Sequence, residues 1–199
     1  MSLPELRVPP SNIYSNGSFL TTDWLNVYLH SGFNSSSIKT LNMNLAPTSS
    51  ISDMCFGNSL NEILVLVRTN KNYTFYIFNG SQTQYTTFST IYSSKLVKDI
   101  MECKNNRVFI NFKTKLIVLA LNSTLNLVYT LSYPNSMNIE MNSHQNLVAL
   151  SYDSIVILVD YTTGTVVRNV SILGWATGLS IMSPFLMICT NNSIFQYDY

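Results

Sequence analysis

Leu147-Val-Ala-Leu-Ser-Tyr152-Asp-Ser-Ile155-Val-Ile-Leu-Val-Asp160 is the stretch that decides the fold, because it is two apolar strands joined by a short polar turn and it recurs along the chain. Each copy follows a segment that carries a methionine, and these methionines are Met54, Met101, Met141 and Met182. The copies are therefore 47, 40 and 41 residues apart. A repeat of ~40–45 residues that holds several short strands is typical of a β-propeller blade.

Continuous apolar runs mark the strands of each copy. The second strands are predicted at 63–68, 108–112, 147–152 and 185–190, and the third strands at 74–78, 116–121, 155–161 and 193–199. Runs without alternation, rich in β-branched residues, suit strands buried on both faces. No long stretch has a helical period. The sequence therefore predicts an all-β chain, a β-propeller of about four to five four-stranded blades.

The repeat also predicts how the chain is organised. A flexible lead is expected at 1–11 and a partial propeller at 12–199. The predicted blades are 12–45, 51–91, 95–133, 137–172 and 176–199. A closed propeller has roughly four to eight complete blades and exposes no long sheet edge. The predicted propeller is therefore incomplete or open, as the front of a longer propeller or as one completed by a partner or a second copy.

Composition limits the classes of partner and the compartment. Charged residues make up 11% of the chain and the formal net charge is +1, which predicts no nucleic-acid binding. The start of the chain does not read as a secretory signal. Cys55, Cys103 and Cys189 are expected to be buried thiols in a reducing compartment. Together these features predict a cytoplasmic location.

Glycosylation sequons support an alternative location. Seven asparagines begin an Asn-X-Ser/Thr triplet, and they are Asn16, Asn34, Asn72, Asn79, Asn122, Asn169 and Asn191. Several are expected by chance, because Asn, Ser and Thr are abundant. The alternative is a secreted or lumenal N-glycosylated propeller-like module, and a third hypothesis is a truncated propeller without independent activity.

No catalytic, cofactor or metal site is predicted. His30 and His144 are the only histidines, and both are expected on surface loops. Carboxylates are scattered singly, and no phosphate-binding or nucleophile motif is present. The sequence therefore predicts a protein that is not an enzyme.

One charge cluster is the candidate binding site. Its members are Lys95, Lys98, Lys104, Arg107, Lys113 and Lys115. They are interpreted either as a contact for phosphate, anionic lipid or an acidic partner segment, or as solvated lysines that discourage pairing of sheet edges. Trp24 and Trp175 are expected in core or inter-blade packing, with anchoring of a binding face as the alternative.

Two segments resemble known families. Ile157-Leu-Val-Asp160-Tyr-Thr-Thr-Gly164 resembles the end of a WD repeat, with Val159 in place of the tryptophan, so the predicted fold is a WD-like β-propeller. The segment 106–121, followed by Leu127-Val-Tyr-Thr-Leu131, is similar to the second blade of the PROPPINs, the phosphoinositide-binding β-propellers of autophagy. The resemblance covers roughly 50–170, the N-terminal portion of that family.

The PROPPIN resemblance implies a non-catalytic scaffold that binds a protein or peptide. By family alone, it also implies phosphoinositide binding and peripheral attachment at endomembranes. The family holds lipid with adjacent arginines, whose guanidinium groups pair with phosphate oxygens. Here the arginines are Arg7, Arg68, Arg107 and Arg168, which are never adjacent. The paired-arginine lipid motif is therefore lacking, and the resemblance implies a partner-binding region near 95–135.

Overall fold

The computed structural model describes residues 17–23, 26–31, 38–59, 61–69, 72–79, 82–86, 100–112, 115–121, 125–134 and 139–199. These residues form strands and turns, and none of them lies in a helix. In particular, none forms a helix that is long and apolar enough to cross a membrane. The chain divides into two compact units, Met1–Lys95 and Leu96–Tyr199.

The described residues of the first unit form two antiparallel sheets whose strands lie side by side in chain order. The strands are β1 (Phe19–Thr22), β2 (Asn26–His30) and β3 (Ile38–Asn42) in one sheet, and β4 (Ser49–Phe56), β5 (Glu62–Thr69), β6 (Asn72–Asn79) and β7 (Gln82–Thr86) in the other. Leu20 and Val27 of the first sheet belong to one buried cluster with Met54 and Val65 of the second. Apolar contact between the two sheets therefore forms the core of this unit.

The described residues of the second unit form three sheets with the same simple order. The strands are β8 (Ile100–Lys104), β9 (Arg107–Phe112), β10 (Lys115–Leu121) and β11 (Leu125–Ser132); β12 (Ile139–His144), β13 (Leu147–Tyr152), β14 (Ile155–Asp160) and β15 (Thr165–Ser171); and β16 (Ala176–Met182), β17 (Phe185–Thr190) and β18 (Ile194–Asp198). Short antiparallel sheets connected in this way are the building blocks of a propeller.

The middle sheet of this unit is buried on both faces. Val148 and Leu150 of β13 pack in a cluster shared with the sheet β8–β11. Ala149, which lies between them, packs in a second cluster with Leu186 and Ile188 of the sheet β16–β18. Successive side chains of a strand point to opposite faces, so a strand between two other sheets is apolar at most of its positions. This confirms the interpretation of the unbroken apolar runs.

The predicted all-β fold and the predicted strands are confirmed. The strands predicted at 147–152 and 185–190 coincide with β13 and β17, and the others agree within about two residues at each end. The limits of the lead and of the blades stay predictions, because the lead and several of those limits lie outside the described residues.

The methionine alignment is wrong in the last copy. Met101 pairs with Ile110, and Met141 pairs with Leu150, at the same distance from the hairpin turn. In the last sheet this place belongs to Leu179, which pairs with Ile188. Met182 instead pairs with the residue beside the turn and is 61% exposed. The hairpin turn, rather than the methionine, sets the register of each strand pair.

Candidate docking site

A cleft of about 370 Å³ lies at one end of the sheet β16–β18. Its lining residues are Leu173, Gly174, Trp175, Thr190, Asn191, Asn192, Ser193 and Phe195. Three of them form the link between β15 and β16, and four belong to the end of β17 and the turn that joins it to β18. The cleft is therefore formed by a link and a turn at the same end of one sheet.

Local hydrogen bonds fix the turn that forms one wall. The backbone N–H of Thr190 donates to the carbonyl oxygen of Ser193 over 2.8 Å. The Thr190 hydroxyl accepts the Ser193 N–H over 3.2 Å and donates to the Ser193 carbonyl oxygen over 3.2 Å. Serine and threonine hydroxyls often close turns in this way. Asn191 and Asn192 are thereby left exposed at the rim.

The link that forms the other wall exposes two large apolar side chains. Leu173 is 93% exposed and Trp175 is 47% exposed. Gly174 has φ +88° and an added Cβ there would meet no atom within 4 Å. The next residue, Ala176, is buried in the core and anchors the link. Large apolar side chains exposed together are typical of an interaction site, whereas single ones are not.

For Trp175 the prediction was core or inter-blade packing, and the half-exposed side chain shows that core packing is wrong. The alternative, a binding face, agrees with this exposure. Trp24 lies outside the described residues. The cleft has no charged lining residue, and it combines an indole, a leucine and a phenylalanine with amides and hydroxyls. Such a surface can bury an apolar side chain and hydrogen-bond to the backbone beside it.

The structure divides the predicted basic cluster. Lys104 ends β8 and Arg107 begins β9, and the two residues pair across the turn Asn105-Asn106. Lys115 begins β10, at the opposite end of the same sheet. β9 has six residues, which at ~3.3 Å per residue puts the two ends about 17 Å apart. Lys95, Lys98 and Lys113 lie outside the described residues.

The two basic residues at the turn make hydrogen bonds within the protein. Lys104 Nζ donates to the carbonyl oxygen of Ser143 over 2.8 Å, and this bond joins β8 to β12. Arg107 donates from a guanidinium nitrogen to the carbonyl oxygen of Asn106 over 3.0 Å. Arg107 Nε is buried and has no hydrogen-bond partner. Both side chains therefore take part in local structure at this end of the sheet.

Glu102 is a feature that the sequence analysis missed. It points to the same face of β8 as Lys104, since the two are separated by one residue. Its Oε2 is buried and has no hydrogen-bond partner. Burial raises the pKa of Glu102 to about 7, although Lys104 and Ser143 act in the opposite direction. The only sequence signal was a carboxylate between apolar residues of a predicted blade.

The cysteine prediction is wrong for two of the three residues. Cys55 on β4 and Cys103 on β8 are disulfide-bonded, whereas Cys189 on β17 has a free thiol. The expectation of thiols in a reducing compartment rested on the odd number and the strand positions of the cysteines. Sequence position alone does not reveal which sulfur atoms come within bonding distance.

The histidines lie in strands and not in loops. His30 ends β2, stacks on the ring of Phe19 with centroids 4.3 Å apart, and shares a 2.8 Å hydrogen bond with Thr21. Burial lowers the pKa of His30. His144 ends β12. Within the described ranges, no group of three or more His, Cys, Asp or Glu side chains could hold a metal ion.

Comparison with solved structures identifies the class of fold. Sqt1 of Saccharomyces cerevisiae is similar with a TM-score of 0.69 and 14% identity, over 99% of this chain and 60% of that one. Raptor of Chaetomium thermophilum is similar with a TM-score of 0.66 and 13% identity, over 96% of this chain and 20% of that one. The chain thus spans less than two thirds of these two structures. It has a WD-like β-propeller fold.

A PROPPIN is also among the similar structures. KlHsv2, with its loop 6CD replaced by a Gly-Ser linker, is similar with a TM-score of 0.66 and 8% identity, over 92% of this chain and 59% of that one. At this identity the likeness concerns the fold alone. No protein-family model matches the sequence, and no curated protein matches it significantly.

Proposed function

We propose that the chain is a non-catalytic β-propeller scaffold that binds a protein partner at the cleft beside Trp175. The observation that carries this proposal is the exposure of Leu173 and Trp175 next to a cleft without charged lining residues. Tryptophan is strongly enriched among the residues that dominate binding energy in protein interfaces. The similarity to WD-like propellers supports the scaffold class.

The proposed partner presents a neutral polypeptide segment with one large apolar side chain. An indole beside amides and hydroxyls suits such a side chain and the peptide groups next to it. A strongly charged segment would lose hydration there without gaining an ionic partner. A phosphoinositide headgroup or a nucleic acid would find no cationic partner among the residues that line this cleft. The PROPPIN resemblance supports a trafficking or autophagy role as a proposal only.

Site-specific photo-crosslinking tests the docking site. A photoreactive phenylalanine in place of Leu173 should give a discrete crosslinked product with the partner, and Trp175→Ala should abolish it. The same group in place of Leu127, which is 58% exposed on β11, is the matched control and should give no such product. The crosslinked peptide, once identified and synthesised, should bind the Trp175→Ala protein at least tenfold more weakly than the wild type. Equal affinity of the two proteins would refute the proposal.

The disulfide-bonded cysteines favour a second candidate, a secreted or lumenal glycosylated module. Disulfides persist in oxidising compartments, whereas the cytoplasm keeps most thiols reduced. Asn169 and Asn191 begin sequons and are exposed. Because Asn191 also lines the cleft, a glycan attached to it would cover the proposed docking site. The two candidates therefore make opposite predictions for this residue.

Glycosidase treatment of the chain from its native cells separates the candidates. The cytoplasmic scaffold, peripheral at endomembranes, predicts no change in mass. The lumenal module predicts a loss of mass that Asn191→Gln reduces by one glycan. If the glycan is present, Asn191→Gln would remove it and uncover the cleft. Crosslinking from position 173 in this variant would then show whether the cleft also binds a protein partner.

A further inference from the structure

The sheet β16–β18 differs from its two neighbours in the number of its strands. Among the described residues of the second unit, the sheets β8–β11 and β12–β15 have four strands each, whereas β18 pairs with β17 alone. Within these residues, the other edge of β18 belongs to no ladder of backbone hydrogen bonds. Such an edge is a template for one more strand.

Two hydrogen bonds fix which backbone groups of β18 face this open edge. The Thr190 N–H donates to the Ser193 carbonyl oxygen over 2.8 Å. The Tyr199 N–H donates to the Pro184 carbonyl oxygen over 3.2 Å. Ser193 and Tyr199 thus bond toward β17, and bonding residues alternate with non-bonding ones along an antiparallel pair. Three residues of β18 consequently direct their N–H and C=O groups to the open edge, and they are Ile194, Gln196 and Asp198.

The neighbouring sheet shows what occupies the corresponding place there. Val156 of β14 and Ile194 of β18 are each the second residue after their hairpin turn. Val156 lies opposite Val170 of the fourth strand, β15, and both side chains are buried. Ile194 is 70% exposed. The place that β15 holds beside β14 is therefore open beside β18.

The outer strands of the other two sheets are protected against adding a further strand, and β18 is not. The pairing of β10 with β11 shifts between Val118 and Leu119, and that of β14 with β15 shifts between Leu158 and Val159. Such bulges twist an edge and disturb its hydrogen-bonding groups. β18 pairs with β17 without a shift and contains neither proline nor lysine. Its edge is thus regular enough to pair with a strand of a partner.

We propose that the partner segment adds to β18 as a fourth, antiparallel strand and directs the side chain opposite Phe195 into the cleft. This inference rests on the proposed docking of a protein partner beside Trp175. Phe195 is a residue of β18 and also lines the cleft, so the open edge and the cleft are continuous. Side chains directly opposite each other on paired strands lie on the same face. The large apolar side chain of the partner therefore lies opposite Phe195.

The charge along the edge defines the rest of the segment. Asp198 is the only charged residue of β18, and it lies at the end of the strand remote from the cleft. Opposite charges on facing residues stabilise a strand pair. The segment is therefore uncharged beside the cleft and carries a lysine or arginine opposite Asp198. Two copies of β18 paired about Gln196 would instead place each Asp198 opposite an exposed Ile194, which disfavours a second copy as the occupant.

Hydrogen exchange of the intact chain, followed by NMR, tests whether the edge is open. The edge amides of Ile194, Gln196 and Asp198 should exchange at least about tenfold faster than those of Phe195 and Tyr197, which bond to β17. The probe is the peptide captured by crosslinking from position 173 and then synthesised. At saturation it should slow the three edge amides at least about tenfold. Unchanged exchange with the peptide bound would overturn the proposal. Protection of the edge in the free chain would overturn it as well, because a second copy or another part of the chain would then hold the edge.

A proline at position 196 tests the strand pairing itself. Gln196→Pro removes the central N–H of the open edge and leaves the bonds to β17, and proline is tolerated where its nitrogen faces away from the ladder. The affinity for the same peptide should fall at least about tenfold. Gln196→Ala, the matched control, keeps the N–H and should bind within about twofold of the wild type. A wild-type urea midpoint for Gln196→Pro checks that the fold is kept, and the exchange experiment does not depend on this variant.

The two variants distinguish failure of the strand pairing from failure of the docking site. If Gln196→Pro binds the peptide as the wild type does while Trp175→Ala binds weakly, the fourth strand is refuted and the docking site stands. If Trp175→Ala binds as the wild type does, the docking site itself is refuted.

Discussion

Removing one hydroxyl group, in Tyr133→Phe, should destabilise the second unit by more than an ordinary hydrogen bond contributes. The Tyr133 hydroxyl donates to Asn111 Oδ1 in the interior of the sheet β8–β11. Asn111 is fully buried, and its Nδ2 already lacks a partner. Phenylalanine keeps the ring, which stacks on Tyr152 with centroids 5.3 Å apart. The change therefore removes the hydrogen bond and preserves most of the packing.

The magnitude follows from what remains in the core. A buried hydrogen bond contributes about 0.5–1.5 kcal/mol net, but a buried acceptor left without a partner costs about 1–3 kcal/mol. Tyr133→Phe leaves the buried Asn111 Oδ1 without the hydroxyl group that donates to it. We therefore expect a loss of about 2 kcal/mol in the free energy of unfolding. With a urea m-value of about 2 kcal/mol per molar, the midpoint should fall by about 1 M.

A double-mutant cycle with Asn111→Leu tests this reasoning. Leucine has nearly the shape of asparagine but no polar atoms, so the double variant leaves neither partner unsatisfied. We expect the double variant to lie within about 0.5 kcal/mol of the wild type or above it. The coupling energy should then exceed about 2 kcal/mol, because Asn111→Leu alone also loses stability by removing the acceptor of the Tyr133 hydroxyl. Urea titrations at 25 °C, followed by fluorescence and circular dichroism, measure all four proteins.

Additivity in this cycle would refute the argument. If the stability loss of the double variant equals the sum of the two single losses, the unpaired Asn111 Oδ1 is not the source of the cost. A loss below about 0.5 kcal/mol in Tyr133→Phe would likewise show that water reaches this pair. A change in m-value would indicate that the variants alter the unfolded or native ensemble instead.

Three further predictions concern the register, the sulfur chemistry and one turn. Met101→Ala, at a fully buried site, should cost about 2–5 kcal/mol, whereas Met182→Ala should change the free energy of unfolding by under about 0.5 kcal/mol in urea titrations. Thiol titration of the denatured, unreduced chain should count one thiol, that of Cys189, and three after reduction. Gly164→Ala should cost about 1–2 kcal/mol by the same urea titrations, because φ is +74° and an added Cβ would lie 3.3 Å from the Tyr129 ring; an unchanged midpoint would contradict this.

The strands could be predicted because burial on two faces marks the sequence directly. β13 is apolar at Val148, Ala149 and Leu150 because consecutive side chains enter different clusters. No turn residue interrupts such a run, so the predicted ends of the strand agree with those in the structure. The register of the last copy could not be obtained in this way. Met182 is apolar like Met101, and composition does not distinguish a buried strand position from one beside a turn.

The sites were harder to predict because non-local contacts create them. The cleft beside Trp175 is completed by the turn Asn191-Asn192, which the chain reaches 16 residues later. The environment of Glu102 depends on Ser143, 41 residues later. The basic cluster is compact in sequence, but an extended strand separates its members. Spacing within a segment thus predicts which element forms, while the chemistry of a side chain is set by the neighbouring sheet.

β12 makes polar contacts with both neighbouring sheets of the second unit. Ser143 points from β12 toward β8, and the adjacent Asn142 points toward the other sheet, where its Oδ1 accepts the backbone N–H of Ile181 on β16 over 2.9 Å. β16 begins directly after Trp175. The hydrogen bond from Ile181 to Asn142 therefore joins β12 to the strand that anchors the docking cleft.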